Sequence, residues 1–501
     1  MRTPVPTVPT PTIDVEVVES ARRGVPNVVL ATPSNDGGAP AFGPGGDRLS
    51  QDWLPVAGVT GKAGEVAAVP GGRTSDWVLG LGDGAPRAWR SGGAALVRAV
   101  DQRAKADQAE GRTVPKAIQL LLPADADAER VGALVLGAAL GGYRFKVTGE
   151  EPAPRVGTLR LVAPAGADLA TLTEAAKLAL TSAAATALSR DLANTPSDVK
   201  DPEWLAGTAA RLADRLAGLT ATVRDERWLA EQGFGGVLAV GGGSVRPPRF
   251  LELSWKPRGA SGQHLVFVGK GITFDTGGIS IKPADGMHLM RTDMSGGAAV
   301  IAALLAVAER KLPVRVTGLV PCAENHVSGT AYRPGDVVRH YGGTTTEVTN
   351  TDAEGRMVLA DALAYAVRRL KPSVLVDVAT LTGAMKVSLG LRTGGLFATE
   401  DELAERITAA GARVGEAWWR MPLLDAHAED VRGDLADVRQ CPPGPGGITA
   451  ALFLREFTGD LPWAHLDIAG PARSEKVYDE VVPGATGFAA RTLVELVASY
   501  A

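Results

Sequence analysis

Short apolar runs alternate with longer amphipathic segments along most of the chain. Apolar runs of about four to eight residues bounded by glycine or proline are typical of buried strands, whereas apolar positions three or four residues apart predict helices. Because the two patterns alternate, the sequence predicts an α/β fold in which helices cover a mostly parallel central sheet.

The first third of the chain predicts a small N-terminal α/β domain. Its apolar pattern predicts strands at residues 15–18, 28–31, 77–81, 117–122 and 159–162, and helices at residues 91–104 and 126–140. It contains no phosphate-binding loop and no acid–histidine cluster, so no chemistry is expected in it.

The remainder predicts a larger C-terminal α/β domain with a mostly parallel central sheet. An N-cap at Asp201 followed by Pro202 predicts the start of its first helix. Further elements are predicted as strands at residues 220–223, 237–240, 250–255, 264–268, 314–320, 344–348 and 373–378, and as helices at 298–309, 357–363, 401–414, 448–457 and 489–499.

Four segments of the chain are expected. Residues 1–12, rich in proline and threonine, predict a disordered tail. Residues 13–168 form the N-terminal domain, and residues 169–194, rich in alanine and leucine, predict one linking helix. Residues 195–501 form the C-terminal domain.

Composition narrows the possible functions and partners. The chain has 501 residues, a net charge of −4 and no long basic run, which argues against nucleic acid as a partner. No apolar run approaches about 18 residues, so we expect no membrane span, and the first residues lack a signal-peptide core. Two cysteines, Cys322 and Cys441, fit a reducing compartment. We therefore expect a cytoplasmic protein.

Two acids and an arginine lie where a predicted strand passes into a predicted helix. They belong to the heptad Asn350-Thr351-Asp352-Ala353-Glu354-Gly355-Arg356. In α/β proteins ligands bind at such positions, beyond the carboxyl ends of strands. In extended backbone Asp352 and Glu354 would point to one side, where a divalent cation would offset their repulsion. A loop with a helix-capping aspartate and solvated charges is the alternative that the heptad alone leaves open.

A second stretch adds charged residues of the same kind. An apolar strand at residues 264–268 leads into a glycine-rich loop that carries Lys270 and Asp275, followed by Lys282 and Asp293. With the heptad this makes four carboxylates, enough for two metal ions that share a bridging ligand. A lysine close to metals serves as a neutral ligand or as a cationic electrophile. Without Asp275 beside it, Lys270 would be interpreted as a surface lysine.

These stretches resemble the leucine aminopeptidase, or cytosol aminopeptidase, family of two-metal exopeptidases. The resemblance covers roughly residues 180–500 and is weak over roughly the first 170. It rests on the heptad and on residues 268–275, 279–283, 331–336, 377–383, 448–454 and 463–470, in the order of the family. The resemblance implies that residues 195–501 are the catalytic domain.

The resemblance implies two divalent metal ions, zinc or manganese, with magnesium possible. One ion would be held by Asp275, Asp352 and Glu354, with the backbone carbonyl of Asp352 contributing. The other would be held by Lys270, Asp275, Asp293 and Glu354. Asp275 and Glu354 would therefore bridge the two ions.

The implied reaction is hydrolysis of the first peptide bond of a peptide with a free α-amine, by a water that bridges the metals. Lys282 would polarise the scissile carbonyl as an ammonium group. Arg356 has too high a pKa to act as a base and would hold a bicarbonate ion that carries the proton. A structural salt bridge is the alternative role for Arg356.

Substrate contacts are implied in the same way. Thr380, Leu381 and Gly383 match positions that contact the substrate backbone, and Met290 and Ala469 match positions that line the pocket for the first side chain. A methionine there predicts a preference for leucine or methionine with broad tolerance, although core packing is the alternative role for Met290. The resemblance also implies a homohexamer.

Two other classes of function stay open. The same metals could serve a different two-metal hydrolase, such as a dipeptidase or a phosphoesterase. A non-enzymatic regulatory assembly is the second alternative, for which a basic patch would be the expected sequence feature.

Overall fold

The computed structural model describes residues 5–34, 38–50, 52–69, 75–150, 152–260 and 262–501. The chain divides into two compact units, of which the first comprises Met1–Ala187 and Glu475–Pro483 and the second comprises Leu188–Ser474 and Gly484–Ala501. The first four residues of the predicted tail lie outside the described residues, and residues 5–12 contain no helix or strand.

The first unit is built on a seven-stranded sheet in the order β1-β7-β6-β2-β5-β4, with β3 beside β2. Four of its pairings are parallel, and the pairings of β3 and β4 are antiparallel. Its elements are β1 Asp14–Val18, β2 Asn27–Thr32, β3 Ala41–Phe42, α1 Trp53–Ala57, β4 Val66–Val69, β5 Asp76–Gly80, α2 Pro86–Ala109, β6 Ala117–Leu121, α3 Ala128–Gly141 and β7 Thr158–Val162.

Helices α2 and α3 pack backbone against backbone through two glycines. A Cβ added at Gly93 would lie 2.2 Å from the carbonyl oxygen of Leu134, and one added at Gly137 would lie 1.9 Å from that of Arg90. Any larger side chain would push the helices apart, so these glycines set the spacing of the helix pair.

The second unit holds the larger sheet, in the order β17-β16-β19-β15-β10-β12-β9-β8, with β11 beside β12. Strands β19, β15, β10 and β12 pair in parallel at its centre. The strands of the larger sheet are β8 Leu219–Arg224, β9 Arg249–Trp255, β10 His264–Gly269, β11 Gly271–Asp275, β12 Arg315–Asn325, β15 Val374–Ala379, β16 Thr393–Ala398, β17 Ala417–Arg420 and β19 Trp463–Asp467. Two smaller sheets consist of β13 Val337–Arg339, β14 Thr345–Glu347 and β18 Val438–Arg439, and of β20 Arg473–Ser474 and β21 Gly484–Ala485.

The helices of this unit cover the parallel core of the sheet, as the apolar pattern predicts. They are α5 Pro202–Ala213, α6 Glu226–Gln232, α7 Gly235–Gly241, α8 Ser295–Glu309, α9 Glu354–Tyr365, α10 Gly383–Leu389, α11 Asp401–Val414, α12 Gly446–Arg455 and α13 Ala490–Ala498. Asp201 caps α5 by accepting a hydrogen bond from Trp204 N at 2.7 Å, with Pro202 as its first residue. The α/β class and the mostly parallel sheet are confirmed.

The boundary between the units differs from the prediction at both ends of the second domain. Helix α4, Leu169–Asn194, has the bounds predicted for the linking helix, but the units divide inside it, after Ala187. Residues 475–483 belong to the first unit rather than to the predicted 195–501 domain. Polar contacts with α2 hold this segment in the first unit: Asp479 accepts a hydrogen bond from Ser91 at 2.6 Å, and Glu480 forms an ion pair with Arg90 at 3.1 Å.

Two local predictions were wrong. Residues 237–240 form helix α7 instead of a strand, with Val237 and Val240 buried on one face. A Cβ at Gly236 would lie 2.3 Å from Met357 O, and Val237 N donates to Asp361 at 2.8 Å, so tertiary packing overrides the β-propensity of valine. The expected loop between Lys270 and Asp275 contains strand β11, which pairs with β12.

One segment of the described chain, Met287–Glu309, is long and apolar enough to cross a membrane by length and composition. It consists of a 3₁₀ turn at Met287–Thr292 followed by α8, and 94% of its most apolar window is buried inside the structure. Buried core helices often have the same length and apolar composition, so this segment is weak support for a membrane span.

A buried histidine at the start of β10 makes the stability of the fold sensitive to acid. Burial, together with the charges of Arg315 and Lys256, lowers the pKa of His264 from 6.5 to about 4. The unfolded chain therefore takes up a proton on acidification that the folded chain rejects. The stability present above pH 6.5 is lost as the pH falls toward 4, by roughly 2–3 kcal/mol at pH 4.5.

We predict that His264→Gln loses less stability than the wild type between pH 7 and pH 4.5, measured as the shift in urea unfolding midpoint. His326→Gln, which changes an exposed histidine, is the matched control and should keep the acid loss of the wild type. Equal acid losses in His264→Gln and the wild type would contradict this assignment.

Candidate functional site

The site lies where parallel strands of the second unit end. Strand β10 ends directly before Lys270, β11 ends on Asp275, and β15 ends directly before Thr380. Asp293 follows the 3₁₀ turn that leads into α8, and Glu354 is the first residue of α9. The topology thus brings chemically active residues from distant parts of the sequence to one edge of the sheet.

Three carboxylates form the floor of the site. Asp275, Asp293 and Glu354 each offer an oxygen, and these oxygens lie within 4.8 Å of one another. All three residues are at most 7% exposed. Burial raises the pKa of each carboxyl group, that of Asp275 to about 6, with a further rise from the negative charge of Glu354. This much buried negative charge requires a cation close by.

Two lysines supply positive charge to these carboxylates. The Nζ of Lys270 lies 2.8 Å from both Asp293 Oδ2 and Glu354 Oε1, and it donates to the carbonyl oxygen of Thr380 at 3.0 Å. Burial alone would lower the pKa of Lys270, but the surrounding carboxylates outweigh it and raise the pKa.

Lys282 joins the fourth carboxylate to the floor. Its Nζ lies 2.7 Å from Asp275 Oδ2 and also forms an ion pair with Asp352. Burial would lower the pKa of Lys282, and the charges of Asp275 and Glu354 raise it. The side chain of Asp352 is 34% exposed, so it stands at the edge of the site and not among the three buried carboxylates.

The donor set fits divalent metal ions. Both carboxylate oxygens of Glu354, Asp293 Oδ2 and Asp352 Oδ1 are buried without a hydrogen-bond partner among the described residues. Three of these oxygens, those of Asp293, Asp352 and Glu354 Oε1, lie at ion-pair distance from a lysine amine. Carboxylate oxygens with an amine nitrogen suit zinc or manganese, and oxygens left without partners are what a bound ion would satisfy.

The geometric argument for Asp352 and Glu354 was wrong, although both residues line the site. Extended backbone would place their side chains on one side, but Glu354 already lies in the first turn of α9. Their side chains therefore approach the site from a loop and from a helix start. The loop is held by the backbone N–H of Asp352, which donates to Oδ1 of Asn350 at 2.9 Å.

The glycine of the heptad leaves room for Lys270. A Cβ added at Gly355 would lie 2.7 Å from Cε, 2.8 Å from Cδ and 2.8 Å from Nζ of Lys270. Gly355 lies in the first turn of α9, where alanine would otherwise favour the helix. The absence of a side chain at Gly355 therefore makes space for Lys270 at the site.

Sequence reasoning missed two residues that hold the site in place. Asn325 donates to Asp275 Oδ1 at 2.8 Å and to the carbonyl oxygen of Thr351 at 3.0 Å. The side chain of Gln440 accepts from the backbone N of Asn350 at 3.1 Å and donates to Ala353 O at 3.0 Å. The position of Asn325 at the carboxyl end of a buried strand was a usable signal, whereas Gln440 lies in an irregular segment without one.

Arg356 lies deep in the same cavity. It is 5% exposed, its Nη1 donates to the carbonyl oxygen of Gln440 at 2.6 Å, and its Nε has no hydrogen-bond partner among the described residues. Burial lowers the pKa of this arginine, which the charges of Cys441 and Glu354 oppose. No ion pair of Arg356 is found within the described ranges, which does not favour the salt-bridge alternative.

The five residues predicted to contact substrate all line the cavity, whose volume is about 480 Å³. One of them also supports the floor, because the Thr380 hydroxyl donates to Asp293 Oδ1 at 2.7 Å. Leu381 N donates to Asp467, which is not part of the floor, at 3.2 Å. The N–H of Leu381 is therefore already used within the protein. The five residues are Met290, Thr380, Leu381, Gly383 and Ala469.

Comparison with known proteins gives the family. The model of the cytosol aminopeptidase family, catalytic domain, matches residues 187–494. A probable cytosol aminopeptidase of Corynebacterium efficiens is 40% identical over 498 residues, covering 95% of this chain and 94% of that one. One of Desulfovibrio desulfuricans is 51% identical over 312 residues, and that match spans 62% of each chain.

A solved structure extends the similarity to the whole fold. The bottromycin maturation enzyme BotP in complex with Mn is 38% identical, with a TM-score of 0.82 over 97% of this chain and 99% of that chain. Sequence and fold similarity thus extend over both units of the structure. The chain belongs to the cytosol aminopeptidase family.

Proposed function

We propose that this protein is a metal-dependent aminopeptidase that hydrolyses the N-terminal residue from peptides with a free α-amine, with a preference for leucine. The observation that carries the proposal is the buried set Asp275, Asp293 and Glu354 around the amine of Lys270. Family membership and the manganese complex of the similar BotP structure support it.

The metal ligands proposed are Lys270, Asp275, Asp293, Asp352 and Glu354. Two divalent ions bound there would activate water for attack and polarise the scissile carbonyl. The protein's own contribution is to keep these side chains in place. Asn325 orients Asp275, and the hydroxyl of Thr380 orients Asp293.

Lys282 and Arg356 provide the remaining charges. Lys282 is held as an ammonium group beside Asp275, where it would stabilise negative charge developing on the carbonyl oxygen. The unpartnered Nε of Arg356 makes the guanidinium group available to an anion, which we propose is bicarbonate. Arg356 itself stays protonated, so any proton must be carried by that anion.

Substrate binding would use the cavity wall that contains Met290 and the segment after β15. The backbone of residues 380–383 follows the end of β15. Asp467 holds the N–H groups of Leu381 and Thr382, so a peptide would use the other backbone polar groups of this segment. Met290 gives the adjacent wall a flexible apolar surface that suits leucine or methionine. We further propose that the protein lies in the cytoplasm, which the names of its relatives support. We also propose that it forms a homohexamer, in which exposed apolar side chains such as Trp419 and Leu435 would be available for contacts between subunits.

The proposed activity predicts cleavage of leucine p-nitroanilide that depends on metal and on a free amine. Chelation should abolish turnover, and added manganese or zinc should restore it. Acetyl-leucine p-nitroanilide should be left intact, because its blocked amine cannot bind a metal. Release of p-nitroaniline is the measurement, with p-nitrophenyl phosphate as a parallel substrate. Cleavage of the blocked substrate at the same rate, or of the phosphate ester alone, would contradict the proposal.

Glu354→Gln and Arg356→Ala should fail in different ways. Glu354→Gln removes a buried charge from the metal ligands, so we expect loss of metal together with nearly all activity. Arg356→Ala touches no proposed ligand, so metal content should persist while turnover falls roughly 10²–10⁴-fold, the range of general acid–base catalysis.

Metal analysis and a bicarbonate titration of turnover distinguish these two variants. Bicarbonate should stimulate the wild type and have little effect on Arg356→Ala. Equal metal loss in both variants, or full bicarbonate stimulation of Arg356→Ala, would show that these roles are wrongly assigned.

Gly355→Ala should separate activity from stability. The added methyl group would displace the Lys270 side chain, while alanine favours the helix by roughly 0.5–1 kcal/mol over glycine. We therefore expect folding to be preserved and turnover on leucine p-nitroanilide to fall at least roughly 10²-fold, since small misplacements at an active site have that effect. Gly329→Ala, at a glycine with open space around it, is the control. Undiminished turnover of Gly355→Ala would refute the steric role.

A further inference from the structure

The outer wall of the cavity carries two cations that the proposed chemistry does not use. Lys386 and Arg473 line the same cavity as the floor carboxylates. We call this pair the cationic rim. Neither residue belongs to the proposed metal ligands or to the positions implied for substrate.

The backbone shows that the two members of the cationic rim come from adjacent segments. Lys386 lies in helix α10, and Arg473 begins strand β20, three residues after Gly470. A Cβ added at Gly470 would lie 2.2 Å from the carbonyl oxygen of Gly390 and 3.6 Å from the Cα of Lys386. The turn that follows β19 therefore packs directly on α10, which places both cations on one side of the cavity.

Lys386 is exposed, and no ion pair or side-chain hydrogen bond of its amine occurs in the part of the chain that the structure describes. Its neighbours along the cavity wall are small or apolar, namely Gly383, Ala384, Ala469 and Ala472. A carboxylate entering this part of the cavity would thus meet positive charge without a competing acid from the same wall.

With metal ions bound, the carboxylates of the site would not cancel the charge of the cationic rim. Lys270 and Lys282 already offset two of the four carboxylate charges of Asp275, Asp293, Asp352 and Glu354, and metal ions would offset the rest. The positive charge of Lys386 then remains for the substrate. An exposed charge of this kind acts within about one Debye length, roughly 8–10 Å at ordinary ionic strength.

We propose that the cationic rim is a subsite for a substrate carboxylate, either the side chain of an N-terminal aspartate or glutamate or the C-terminal carboxylate of a short peptide. This inference rests on the proposed aminopeptidase function and adds a class of substrate to it. Lys386 forms the principal contact, and Arg473 adds a second positive charge to the same wall.

The experiment measures kcat/KM for two substrate pairs that differ only in one charge. Glutamyl p-nitroanilide against glutaminyl p-nitroanilide tests the first side chain, because neither has a C-terminal carboxylate. Leucylglycine against leucylglycinamide tests the C-terminal carboxylate. Each pair is assayed with the metal-loaded wild type, Lys386→Met, Lys386→Glu and the control Lys256→Met, which removes an exposed lysine outside the cavity lining.

The expected result is a fall in the charged-to-neutral selectivity ratio of one pair. An exposed ion pair predicts a fall of about two- to five-fold for Lys386→Met, and reversal of the charge predicts a larger fall of about ten-fold or more for Lys386→Glu. Raising the ionic strength should shrink the wild-type preference, and Lys256→Met should keep the wild-type ratio.

The pair that responds identifies the source of the carboxylate. Unchanged ratios for both pairs in Lys386→Met and Lys386→Glu, with leucine p-nitroanilide still cleaved by the wild type, overturn this inference alone. Absence of cleavage of every substrate by the metal-loaded wild type would instead overturn the proposed function on which it rests.

Discussion

Buried negative charge is the constraint on which the second unit depends. Asp275, Asp293 and Glu354 are nearly inaccessible to water, and their oxygens share a space less than 5 Å across. Carboxylates in such surroundings either take up protons or require cations at contact distance. Lys270 contacts two of them and Lys282 contacts the third, so the arrangement persists only while both amines are held in place.

The backbone brings these charges together by close approach at glycines. A Cβ at Gly296 would lie 2.0 Å from the carbonyl oxygen of Val378, and one at Gly269 would lie 2.6 Å from that of Gly296. The start of α8 is thereby seated directly on the ends of β10 and β15. Asp293, just before α8, reaches Lys270, just after β10, because no side chain separates the two segments.

The parts of the site that the sequence predicts are those whose signal is local. The heptad and the residues around Lys270 lie at the ends of apolar strands, and their residue types already indicate metal chemistry. Asn325 carries a similar local signal, because it ends a buried strand. Gln440 could not be found in that way, because it lies in an irregular segment and its partners Asn350 and Thr349 are 90 and 91 residues away. The strand predicted at residues 237–240 was wrong for a related reason, since packing of Gly236 against the distant Met357 decides between helix and strand.

If the proposed metal ligands are correct, Lys270 would let one arrangement of side chains serve with and without metal ions. As an ammonium group it has no lone pair, so it balances the charge of Asp293 and Glu354 but cannot coordinate. To become a ligand it must release its proton, and a dication that replaces the proton supplies more positive charge at the same place. The carboxylates would therefore remain compensated throughout the exchange, and the space that Gly355 leaves for Lys270 would allow the amine to stay within reach of both partners.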